Sequence, residues 1–122
     1  MCAIIGIASE KPLINHNWLI RGRDLMKHRG PDDKGEWHSP DRRVSLAHRR
    51  LTIIDNSPSG RQPMKSFNQK VTIVFNGEIY NFRSLRKQLL SLGHKFYSNS
   101  DTEVLIAAWV EWGEDCVNYL SG

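Results

Sequence analysis

The chain has 122 residues, the length of one ordinary domain, which favours a single hydrophobic core over two independently folded halves. With 39% hydrophobic and 25% charged residues, and four Trp among its aromatics, it carries enough apolar mass to fold, which excludes a disordered segment. The net charge of +4 comes entirely from residues 1–61, where eleven Lys and Arg face seven Asp and Glu, so no basic face is expected along the whole chain.

Cys2-Ala3-Ile4-Ile5-Gly6-Ile7-Ala8 is a short apolar run that predicts a strand buried on both faces. From about Asn15, Trp18, Leu19, Leu25 and Met26 share a helical face, with Gly30-Pro31 as the stop, so a helix is expected to end near His28. Gly35–His38 and Val44–His48 are strand candidates, and Leu51–Ile54 is a third. Residues 55–64 are a loop rich in Pro, Ser and Gly. Val71–Phe75 is the clearest strand. Asn81 is expected to cap a helix with Phe82, Leu85, Leu89 and Leu90 as its apolar stripe and Gly93 as its stop. Ser100-Asp101-Thr102-Glu103 predicts a capping box ahead of Val104–Trp112, with Gly113 closing that helix. Mixed strands, helices and tight turns imply an α+β fold with helices on a mostly antiparallel sheet.

Apolar runs fall far short of the ~20 residues that span a bilayer. No secretory signal precedes the first run, so Cys2 and Cys116 are expected as reduced thiols in a cytoplasmic protein without membrane contact. The five histidines lack spacings that gather metal ligands. A small basic module binding nucleic acid through Arg42-Arg43 and Arg49-Arg50 is the rival reading, but no RNP, GxxG or zinc-finger pattern supports it.

Cys2 carries the most chemistry. Removal of Met1 would leave a thiol and a free α-amine on one residue, a nucleophile with its own base. With a pKa of about 7.7–8.0, roughly a tenth of such an amine is unprotonated at pH 7 and can take the thiol proton. Taken alone, Cys2 reads more readily as a small apolar strand residue. Asn76-Gly77 offers a carboxamide and a backbone N–H to a developing oxyanion, and also reads as a two-residue hairpin turn. Arg50 and Asp101 could hold an amino acid's carboxylate and ammonium, or simply occupy the surface and a helix N-terminus. His28-Arg29-Gly30-Pro31-Asp32 reads as a helix end entering a turn.

In order, Cys2, HRGPD at 28–32, LAHRRL at 46–51, GRQPM at 60–64, FNGEIYN at 75–81 and SDTEV at 100–104 closely resemble the glutaminase domain of class II glutamine amidotransferases. HRGPD and NGEIYN point to the asparagine synthetase branch of these N-terminal-nucleophile hydrolases. The resemblance implies a four-layer αββα sandwich, truncated at its C-terminus, in which residues 1–122 are part of the glutaminase domain. It implies that Cys2 attacks the carboxamide of L-glutamine, that Asn76 and Gly77 form the oxyanion hole, and that Arg50 and Asp101 bind the substrate with Glu78 beside them. Arg29 would order the pocket. Ammonia would pass to a synthetase domain, in cis or as a separate chain, that activates an acceptor such as aspartate with ATP and magnesium. No Gly-rich phosphate loop occurs here, so neither cofactor is expected on this chain. The resemblance is compatible with a homodimer, and with an inactive remnant that keeps the motifs.

Overall fold

A computed structural model of the chain describes residues 2–52 and 57–122. The elements in order are β1 (Ala3–Ala8), α1 (Asn17–Leu25), β2 (Asp33–His38), β3 (Val44–Arg50), a 3-10 turn at Pro58–Gly60, β4 (Met64–Lys65), β5 (Thr72–Ile73), α2 (Phe82–Ser91), α3 (Asp101–Trp112) and a 3-10 segment at Gly113–Tyr119. Strand pairing is antiparallel throughout the described sheets, and the small α+β architecture agrees with the fold class expected from the sequence. These elements divide between two compact units.

The first unit holds β1, α1, β2 and β3, together with Arg61–Pro63 and Val74–Asn76. Its sheet has the order β1-β3-β2, with Ala3 opposite Arg49 and Asp33 opposite Arg50. Side chains alternate across a strand, so Ser45, Ala47 and Arg49 share one face of β3 while Leu46, His48 and Arg50 share the other. The first face receives α1: Arg49 lies 3.7 Å from Asp24, and a Cβ on Gly22 would stand 2.6 Å from the Ile5 side chain. The second face receives the two short segments. A Cβ on Gly35 would sit 2.0 Å from the Gln62 carbonyl oxygen, so only glycine lets that backbone lie against β2.

β1 is not buried on both faces. Among the described residues it is an edge strand paired with β3 alone, and Ile4 and Ile7 are exposed. The first helix is shorter than expected at Asn17–Leu25; of its expected face only Leu19 is fully buried, while Leu25 points into solvent. β3 runs two residues further than its alternation suggested and takes in Arg49 and Arg50. Ile53 and Ile54 of the third strand candidate lie outside the described residues, and Leu51 and Thr52 are not strand.

The second unit contains β4, β5, α2, α3 and the final 3-10 segment. Its core is apolar: Met64, Ile79, Leu85, Leu89, Val104, Ile106, Ala107, Ala108 and Cys116 are buried. The α2 stripe is narrower than expected, since Leu90 is half exposed. Asn81 does not cap α2; its side chain donates to the Tyr119 carbonyl and accepts from the Ser121 amide. Ser100 does cap α3, accepting from Thr102 rather than Glu103. Glu103 reaches further back than a capping box, accepting from the Tyr97 and Ser98 amides and the Ser98 hydroxyl. Gly93 and Gly113 close the two helices at positive φ, as their sequence positions predicted. The Val71–Phe75 strand shrinks to Thr72–Ile73, and no strand follows Gly77, so the Asn76-Gly77 hairpin does not form among the described residues.

Candidate active site

The first unit buries few apolar side chains, Ala3, Leu19 and Ala47, beside a larger polar set of Arg23, Ser45, His48, Arg49, Arg50 and Gln62. Desolvating that many polar groups is costly unless each finds partners, and an interior of this kind is where a chemical site is built.

At the end of β3 the Cys2 sulfur sits on the Leu51 peptide: the thiol donates to the Leu51 carbonyl at 3.5 Å, and Sγ accepts the Leu51 N–H at 3.3 Å. Cys2 is partly exposed, so a reactant can reach it. Arg50, the residue before Leu51, is buried and stands in register with Asp33 of β2.

The HRGPD segment holds this strand end in place, through Gly30 and Asp32 rather than Arg29. Gly30 lies so close to β3 that a Cβ would be 2.4 Å from the Arg49 carbonyl carbon, while Arg49 Nε donates to the Gly30 carbonyl at 2.8 Å. The Asp32 amide donates to the Arg50 carbonyl, and its carboxylate accepts from both the Thr52 amide and the Thr52 hydroxyl. Those two Thr52 bonds, with the Arg50 charge, hold the Asp32 carboxyl below its ordinary pKa. Burial pushes Asp33 upward, but its bonds to Arg61 and to the Lys34 amide, with the nearby arginine charges, carry it below the ordinary value. Arg29 is exposed, and its side chain makes no hydrogen bond or ion pair among the described residues. The signal for Asp32 was available in the sequence as an acid two residues past Gly30.

Asn76 ends the first unit, and its exposed side chain makes no hydrogen bond among the described residues. The residue before it is anchored. His48 Nε2 lies 3.3 Å from the Phe75 carbonyl oxygen, and the Phe75 amide donates to Gln62 Oε1 at 2.6 Å. His48 is 1% exposed, and its burial pushes its pKa down to about 4, so the ring is neutral at pH 7. Neither His48 nor Gln62 was singled out from the sequence, where each reads as an interior residue of a longer motif.

Gly77, Glu78 and Asp101 belong to the second unit. Gly77 and Glu78 are exposed on the irregular stretch before α2. Asp101, the first residue of α3, is buried at 6% exposure, and its Oδ2 accepts the Ile79 N–H at 3.0 Å. The acid therefore ties the NGEI segment to the helix N-terminus and keeps acceptor capacity on its other oxygen.

A family model described as glutamine amidotransferase domain matches residues 1–122. The chain is 41% identical over 126 residues to asparagine synthetase [glutamine-hydrolyzing] 3 of Bacillus subtilis (strain 168) and 42% identical over 124 residues to asparagine synthetase [glutamine-hydrolyzing] 1 of Arabidopsis thaliana. Each match takes in 100% of this chain and 20% of the relative's length. Amidase chry2 of Gibberella zeae is 42% identical over 99 residues, which is 81% of this chain. A whole-chain family match and relatives of this identity agree with the motif order, and the chain belongs to the glutamine amidotransferase domain family.

Proposed function

We propose that this chain is the glutamine-hydrolysing part of an asparagine synthetase-like amidotransferase, with Cys2 as its nucleophile. The observation that carries the reading is a second-position cysteine set on a backbone N–H, in a chain whose whole length matches a glutamine amidotransferase domain.

Removal of Met1 frees the Cys2 α-amine, which accepts the thiol proton as sulfur attacks the carboxamide carbon of L-glutamine. The carbonyl oxygen becomes an oxyanion that accepts from the Asn76 carboxamide and the Gly77 N–H. Collapse breaks the C–N bond; the α-ammonium returns the proton to the leaving nitrogen, and ammonia departs. A thioester remains on Cys2. Water attacks it with the amine again as base, releasing glutamate and restoring the thiol. Arg50 pairs with the substrate carboxylate and Asp101 with its ammonium, with Glu78 beside them. Asp32 positions the strand end that carries Arg50, and Arg29 helps order the pocket near Cys2.

The fold proposed for the complete domain is the four-layer αββα sandwich of N-terminal-nucleophile hydrolases, of which residues 1–122 are part. The ammonia goes to an acceptor carboxylate, aspartate in the reading favoured here, on a synthetase domain in cis or on a separate chain. ATP and magnesium serve that acceptor, and no step of glutamine hydrolysis uses them.

Glutamate release by the full-length protein tests the reading. Wild type should hydrolyse glutamine without acceptor or ATP, and Cys2→Ala should abolish it. Hydrolysis that survives Cys2→Ala, or its absence from a correctly processed wild type, overturns the proposal.

A further inference from the structure

We infer that His48 and Gln62 clamp the Phe75 peptide and thereby position Asn76 for catalysis, an inference that rests on the oxyanion role given to Asn76 above. Residues 74–76 follow the two-residue strand β5 and have no ladder of their own. Both main-chain polar groups of Phe75 are instead taken by side chains: its N–H by Gln62 Oε1 at 2.6 Å and its C=O by His48 Nε2 at 3.3 Å. Both clamping residues are buried, so these bonds face little competition from water.

The chemistry fixes the tautomer. A carbonyl oxygen only accepts, so His48 must carry its proton on Nε2, leaving Nδ1 as a bare acceptor. Nδ1 is buried and has no hydrogen-bond partner among the described residues. An apolar ring would remove that orphaned atom, yet only a ring with an Nε2–H can hold the Phe75 carbonyl. Among the described residues the Asn76 side chain makes no hydrogen bond of its own, so its placement rests on the backbone that Phe75 anchors. An oxyanion donor displaced by an ångström loses much of its effect. His48 and Gln62 are thus positioning residues, acting through Phe75.

Two variants and one direct observation test this in the full-length protein. His48→Phe removes the donor at similar ring volume, and Gln62→Leu removes the acceptor. With turnover expressed per Cys2 labelled by an electrophilic glutamine analogue, which discounts misfolded chains, each variant should lose roughly 10- to 100-fold in kcat while KM for glutamine moves little. His48→Gln, which offers an amide N–H, should recover part of the loss. Unchanged kcat per labelled site in the variants, or a change confined to KM, overturns the inference. Should His48→Phe fail to fold, Gln62→Leu decides alone. The ring itself is read by imidazole nitrogen NMR of the wild type: protonated Nε2 and bare Nδ1 are expected from pH 7 to 5, with Arg50 opposing and Asp33 favouring protonation. An Nδ1–H tautomer or an imidazolium at pH 7 overturns the clamp. If wild type hydrolyses no glutamine, the functional reading fails, and the NMR result still judges the clamp.

Discussion

In the proposed mechanism, Arg50 separates binding from chemistry at the scale of one residue. A guanidinium grips a carboxylate with two parallel N–H bonds, which a lysine ammonium cannot reproduce. Arg50→Lys should therefore raise KM for glutamine by about 10- to 100-fold with a smaller change in kcat, as steady-state glutamate release will report. His48 makes a stability prediction. Its pKa falls from 6.5 to about 4 on folding, chiefly through burial, so above pH 6.5 both folded and unfolded chains hold a neutral ring. Between pH 6.5 and 4 only the unfolded chain takes the proton, and stability is lost as pH falls, by up to about 3 kcal/mol. Urea unfolding at pH 7 and 4.5 should show a flatter pH dependence in His48→Phe than in wild type, although burial and His16 also lower the pKa of His38 and keep part of the slope. Equal slopes would contradict the account. The place of Asp101 in the first turn of α3 was legible from local sequence, whereas the Phe75 clamp was not: a His and a Gln fourteen residues apart acquire a shared role only when the fold brings both to one peptide.

Among the elements, the two ends of α3 and the stop of α2 were the most legible, because caps and stops are local chemistry, although Asn81 does not cap α2 and α1 ends earlier than expected. Ser100 and Gly113 bound α3 as expected, and Gly93 closes α2. Strands were less so. Val71–Phe75 has strong β propensity, yet Phe75 is bonded by side chains rather than by a neighbouring strand, and propensity cannot reveal where partners come from. Ile4 and Ile7 mislead for a similar reason, since an apolar run does not say whether its strand is central or at an edge. The strand end that carries Arg50 depends on contact with Gly30, and Gly30→Ala drives a Cβ into the Arg49 backbone. That substitution should destabilise the protein by about 1–3 kcal/mol in urea unfolding and lower glutamine turnover with it. Neutral behaviour in both measurements would mean that the HRGPD segment does not hold β3. In the second unit, Leu89→Ala should cost about 2–5 kcal/mol, because Leu89 is fully buried in the α2 core face.

Across the whole molecule, part of the basic charge of residues 1–61 is engaged within the fold. Arg23 pairs with Asp24 and Glu36, Arg49 with the Gly30 carbonyl and Asp24, and Arg61 with Asp33. Filter titration with random single-stranded nucleic acid should accordingly show no steeply salt-dependent micromolar binding. The two thiols also differ. Cys116 is 1% exposed, and burial with the Asp115 charge pushes its pKa up, which favours the inert thiol. Cys2 is partly exposed and accepts a backbone N–H. Intact-protein and peptide mass spectrometry after treatment with an electrophilic glutamine analogue tests this contrast and the central claim together. The account predicts a chain lacking Met1 that carries a single adduct on Cys2, lost in Cys2→Ala and suppressed by excess glutamine; retained Met1, an adduct on Cys116, or labelling indifferent to glutamine would contradict it.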